Sequence, residues 1–182
     1  MPLANNRDRY NLSSIILHWL MLLLIVGAYA AIELREFFPK GSDPREMLKI
    51  WHYMLGLSVL GLVWVRIAAR LIWLAPQPAP ETPAWQLLVA KATHFALYAL
   101  MIGMPLAGWL ILSAEGKSIP FFGLGLPALI GSNEVLADRI EELHELGGRL
   151  GYWLIGLHAA ASLFHHYLVG DRVLARMLPR PR

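Results

Sequence analysis

Seven histidines stand in a chain with no cysteine. Of His18, His52, His94, His144, His158, His165 and His166, six or seven fall within or at the ends of long apolar runs. An ionisable side chain in such a run is costly to keep and by default marks a functional site, although a helix-to-helix hydrogen bond is the common alternative for one taken alone. Without thiols the chain can form no disulfide, thiolate metal site or iron–sulfur cluster, and no covalent haem link through paired cysteines. A redox cofactor would have to be held by histidine or methionine.

Spacing narrows the chemistry. His144 and His158 lie fourteen residues apart, which on a helix puts them within roughly 40° of one face and about 21 Å apart along the axis. That arrangement suits two planar cofactors stacked along one helix, each ligated from one side. His52 lies at the depth that matches His144, whereas His18 and His94 both match His158. Haem b with two axial imidazoles accounts for the pattern. Gly56 follows His52; Gly147, Gly148 and Gly151 follow His144; Ala159, Ala160, Ala161 and Ser162 follow His158. These small residues would leave room for a macrocycle, and close helix packing explains them locally as well.

The elements that must position these histidines are membrane helices. Of the 182 residues 57% are apolar, above the roughly 45–50% of a soluble domain, and the mean hydropathy is +0.48. The excess is gathered in four runs, Ile15–Ile32, Ile50–Leu74, Trp85–Leu112 and Leu146–Val169. Each is about as long as the 18–20 residues that cross a bilayer core. The expected fold is therefore an all-α integral membrane four-helix bundle, one domain over 1–182, enclosing two b-type haems. The first run lacks a small-x-small cleavage site before Glu33 and is expected to remain in the mature protein.

With Arg149 set aside inside the fourth run, nine Lys and Arg fall on the side of the termini and the second loop, among them Arg66 and Arg70 near the inner end of the second run and Arg176, against six on the other side. Both termini are thus expected in the cytoplasm. Ten of the thirteen carboxylates sit on the outer side, giving it a formal −4 and the inner side +6. The pI near 9.4 reflects that inner rim and gives no ground for nucleic-acid binding. The proline-rich inner loop from Pro76 to Pro83 should run extended. The outer segment from Ser113 to Ser132 is too apolar for a free linker and should lie as a lid. Ser132 or Asn133 caps an amphipathic approach to helix four, and Pro105 should kink helix three.

The stretches LHWLMLLLIVGAYAAIELREFFP, WHYMLGLSVLGLVWVRIAAR and LHELGGRLGYWLIGLHAAASLFHHY resemble the bacterial di-haem cytochrome b561 family, from about Arg9 to Met177, and most of all its superoxide-oxidising members. The resemblance implies that His18 and His158 hold an inner haem iron and His52 and His144 an outer one, with His94 left as a non-ligand. It further implies that superoxide is oxidised to O2 at the periplasmic side of the bacterial inner membrane and that ubiquinone is reduced on the cytoplasmic side.

Around that core, Arg66 and Arg70 are placed to snorkel to the inner interface or to pair with propionates. His165 is placed to face a quinone head group. Arg149 lies too deep for a decorative arginine and calls for a carboxylate or propionate partner. Lys117 and Arg35, with Lys40 and Lys49, could form a positive funnel at the outer haem, against the net negative charge of that side. Two other readings compete. A cytochrome b anchor subunit would pass electrons between quinone and a partner enzyme. A histidine-lined metal transporter would want mid-membrane carboxylates, which the four runs lack.

Overall fold

The computed structural model describes residues 9–73, 76, 82–171 and 173–178. Four long helices dominate it: α1 (Leu12–Leu34), α2 (Asp43–Ile72), α3 (Ala84–Ala114) and α4 (Glu134–Phe164). Their starts are chemically marked. The side chain of Asn11 accepts from the amide of Ser13 at 2.9 Å, and that of Asn133 accepts from Leu136 at 3.0 Å, each satisfying an amide that the first helical turn leaves unpaired. In α2, Pro44 occupies the first turn beside Asp43 and Glu46, where a missing N–H costs nothing and negative charge meets the positive end of the helix dipole. Helix α3 continues unbroken through Pro105.

Among the described residues, the segments Leu12–Phe37, Asp43–Ile72 and Ala84–Ala114 are long and apolar enough to cross a membrane. Helix α4 is as long, but its first half carries Asp138, Arg139, Glu141, Glu142 and Glu145, and its apolar second half still contains Arg149. It therefore does not meet the same criterion alone. Large apolar side chains such as Leu88, Phe95, Trp153 and Leu157 are exposed on the outside of the bundle, as a lipid-facing surface requires.

Close packing runs from α1 to α2, from α2 to α3 and from α3 to α4. Helix α4 reaches α1 mainly through side chains: the Tyr29 hydroxyl donates to the Gly148 carbonyl at 2.9 Å, and that of Tyr152 to Glu33 Oε1 at 2.8 Å. Val59, Val63, Met21 and Met101 form the central core. The first and last described segments meet at one end of the bundle, where the Trp19 indole donates to the Met177 carbonyl at 2.8 Å and the Tyr10 amide to the Arg176 carbonyl at 3.3 Å. Residues 77–81 of the proline-rich connector lie outside the described residues, as do Arg7, Arg172, Arg180 and Arg182.

At the opposite end the lid segment folds as a β-hairpin, β1 (Ile119–Phe121) against β2 (Leu124–Leu126). Phe122 (φ 45°) and Gly123 (φ 85°) form its turn, both left-handed as a two-residue hairpin turn demands. Ile119 is buried against Leu57 and Leu112, which fixes the hairpin over α2 and α3. Below it, Arg45 is buried and donates to the carbonyls of Arg35 at 3.0 Å and Phe38 at 3.1 Å, and to Glu36 Oε1 at 3.0 Å. It holds the short 3-10 turn Arg35–Phe37 against the start of α2.

Candidate functional site

The helices bring the histidines together in two groups. Toward the hairpin end, the rings of His52 (α2) and His144 (α4) lie 6.1 Å apart, centre to centre. Toward the end where the termini meet, His158 (α4) lies 6.4 Å from His18 (α1) and 5.5 Å from His94 (α3). With metal–nitrogen bonds of about 2.0–2.1 Å and roughly 1.1 Å from ring centre to nitrogen, one ion between two opposed imidazoles needs about 6.3 Å. The His52–His144 and His18–His158 spacings fit that requirement. The His94–His158 spacing is short of it.

Two further features fit a macrocycle. The first is space: a cavity of about 550 Å³ is lined by His52 and His144, within the range of cofactor pockets, about 300–1,000 Å³. Gly56 lines it, and a Cβ there would meet nothing within 4 Å. The second is polarity. The Nδ1–H of His52 donates to the Ala28 carbonyl at 2.9 Å, which leaves Nε2 free to bind a metal. At the other group, the Arg66 guanidinium donates to His18 Nδ1 at 3.1 Å, while its buried Nη1 has no partner among the described residues. An unpaired buried donor of that kind suits an anionic substituent such as a propionate.

Two of the glycines after His144 serve packing. Gly147 lies under the thioether of Met104, and Gly151 under the Tyr29 hydroxyl and Leu100, so the room these two leave is taken by side chains of α1 and α3, whereas Gly148 lines the outer cavity. Arg149 meets its expectation only in part, since of the two partners expected the carboxylate is not found. It is exposed and lines the outer cavity, with no carboxylate partner among the described residues, because its place on α4 turns it to the cavity rim.

Arg35, Lys49 and Lys117 line the same cavity; Lys40 is exposed and does not. Each of the three is paired with a neighbouring carboxylate: Arg35 with Glu36 at 3.0 Å, Lys49 with Glu46 at 2.8 Å and Lys117 with Glu115 at 2.9 Å. The hydrogen bond that Lys117 donates to Glu115 raises the pKa of Lys117 above the usual lysine value, so it remains charged at neutral pH.

At the other end, Arg66 and Arg70 share a small pocket with Tyr10, Ser14, Trp73, Tyr98 and Met177. His165 opens a π-helical turn, His165–Val169, and its Nδ1 lies 2.6 Å from Asp171 Oδ2. Sequence reasoning missed Asp171, Arg45 and the hydrogen bonds of Tyr29 to Gly148 and of Tyr152 to Glu33.

The model of a family described as prokaryotic cytochrome b561 matches residues 9–180. The chain belongs to that family. It is 37% identical to cytochrome b561 homolog 1 of Escherichia coli K12 over 95% of its length and 98% of that protein. It is also 37% identical to a probable superoxide oxidase, CybB, of Yersinia pestis, over 96% and 98%, and 29% identical to cytochrome b562 of Cereibacter sphaeroides over 95% and 96%. As a member of the cytochrome b561 family it is a bacterial membrane protein that binds b-type haem and serves transmembrane electron transfer.

Proposed function

We propose that this protein takes electrons from superoxide at the periplasmic face, releasing O2, and delivers them to ubiquinone near the cytoplasmic face. In this reading residues 1–182 are one domain of four membrane spans, α4 included, in the bacterial inner membrane with both termini cytoplasmic. Two haems b, held by His52 with His144 and by His18 with His158, would supply one-electron carriers at two depths. The observation that carries the reading is the cross-helix pairing of those four histidines at 6.1 and 6.4 Å.

The chain's own residues have distinct tasks. His52, fixed by Ala28, presents Nε2 to the cavity. Arg66 offers a free buried donor to an anion. Arg35 and Lys117 attract an anionic substrate at the outer mouth. His165, aligned by Asp171, can supply a proton at Nε2 to a quinone oxygen, with Arg70 at the same end. Carrying an electron inward works against the usual membrane potential by about 2.3 kcal/mol per 100 mV, so the donor must be strongly reducing, as superoxide is.

A second reading is an electron-transfer subunit that exchanges electrons between quinone and a partner enzyme. The pairing of Arg35, Lys49 and Lys117 with carboxylates favours it, because a neutralised mouth attracts an anion weakly. Mixing the purified protein with superoxide, with and without ubiquinone, separates the two. Rapid appearance of the reduced α-band, discharged by added ubiquinone, supports superoxide oxidation. A band that ignores superoxide and responds to quinol supports the subunit reading.

A further inference from the structure

The two histidine groups sit in opposite electrostatic surroundings. The cavity of His52 and His144 is lined by five carboxylates, Glu33, Glu36, Glu115, Glu141 and Glu145. Four cations face them, Arg35, Lys49, Lys117 and Arg149, a formal balance of −1. At the other end His18 is in contact with Arg66, which with Arg70 lines a small neighbouring pocket that has no carboxylate and none of the histidines in its wall. The described carboxylate at that end, Asp171, is engaged by His165. Arg66 is the nearer cation, with Nη2 3.1 Å from His18 Nδ1.

Reduction adds negative charge, so a fixed cation close by in a low-dielectric surrounding favours the reduced state and a carboxylate disfavours it. A guanidinium cannot lose its charge in a protein, so the bias is permanent. In the arrangement seen, His18 Nδ1 accepts from Arg66, and its proton therefore resides on Nε2. Ligation through Nε2 moves that proton to Nδ1, and Arg66 then acts on the site by its charge.

We propose that Arg66, aided by Arg70, holds the His18–His158 site at a higher reduction potential than the carboxylate-lined His52–His144 site, so that electrons arriving at the outer face run inward. This rests on the two-haem reading above. Arg66 is in this sense a positioning residue for the electron, distinct from the ligands.

The test is a potentiometric titration of the α-band in the haem-loaded protein, in detergent, for the wild type, Arg66→Gln, Arg66→Lys, Arg70→Gln and His52→Ala. The expected wild type titrates in two components, and His52→Ala retains the upper one. Arg66→Gln lowers the reduced-to-oxidised ratio of the upper component by about tenfold, equivalent to about 59 mV for one electron, and leaves the lower in place. Arg66→Lys stays near the wild type. Arg70→Gln moves the upper component in the same direction by less, and carries the test if Arg66→Gln fails to assemble. Retention of the lower component by His52→Ala, or an upper component unmoved by loss of either arginine, overturns the ordering while the two-haem reading stands. A wild type with a single haem per chain removes the two-haem reading and the ordering with it.

Discussion

Replacing His144 by Ala should cost the protein one of its two six-coordinate haems and leave the other untouched. The ring of His144 faces His52 at 6.1 Å, and no other histidine ring is paired with either of them among the described residues, so nothing at that depth can take its place. His158 is fourteen residues further along the same helix, about 21 Å at 1.5 Å per residue. That is well beyond the roughly 7–10 Å within which substitutions couple. The low-spin haem signal should therefore fall to about half in His144→Ala, to about half in His158→Ala, and to near zero in the double variant. His94→Ala should keep both, since its ring is too close to His158 for an iron between them. The assay is haem per chain by pyridine haemochrome, with the low-spin fraction read from the α-band. Loss of both haems in His144→Ala, or a double variant that retains a six-coordinate haem, would refute the assignment of the histidines to two independent sites.

Other consequences follow from single side chains. Gly56→Phe fills the open side of the outer cavity and should lower haem content at the His52–His144 site alone, seen as loss of one component in the same assay. Arg45→Met leaves the carbonyls of Arg35 and Phe38 without their buried donor; at about 1–3 kcal/mol for such a loss, thermal unfolding in detergent should shift down measurably. Lys117 has its pKa raised by Glu115, so its contribution to the pair is present at neutral pH and is lost only as pH rises above the usual lysine value, about 10.4. Superoxide oxidation should accordingly show no step from this residue between pH 7 and 9 in a pH–rate profile, whereas Lys117→Glu should lower the rate at low ionic strength and much less at high salt.

Much of this was legible in the residues. The four apolar runs located four helices, and the N-cap of α4 was narrowed to Ser132 or Asn133, of which the structure uses Asn133. The fourteen-residue spacing of His144 and His158 separated the two depths. What periodicity could not decide was rotation between helices. It left His18 and His94 equivalent; the family resemblance chose His18, and the ring distances of 6.4 and 5.5 Å favour the same choice. The same limit hid the use of Gly147 and Gly151, whose space goes to Met104 and Tyr29, and the exposure of Arg149. The lid was expected, but its hairpin was not, because one half of its turn is Phe122, a residue rarely found at positive φ. The ion pairs that temper the outer cations join residues one to three positions apart, and whether such neighbours meet depends on side-chain rotamers that sequence does not specify.

The central claim is that four histidines on three helices hold two haems at two depths. The most direct test is the haem-to-chain ratio of the purified wild-type protein together with its low-temperature optical spectrum. The account predicts two six-coordinate b-type haems per chain; one haem, or none, would contradict it.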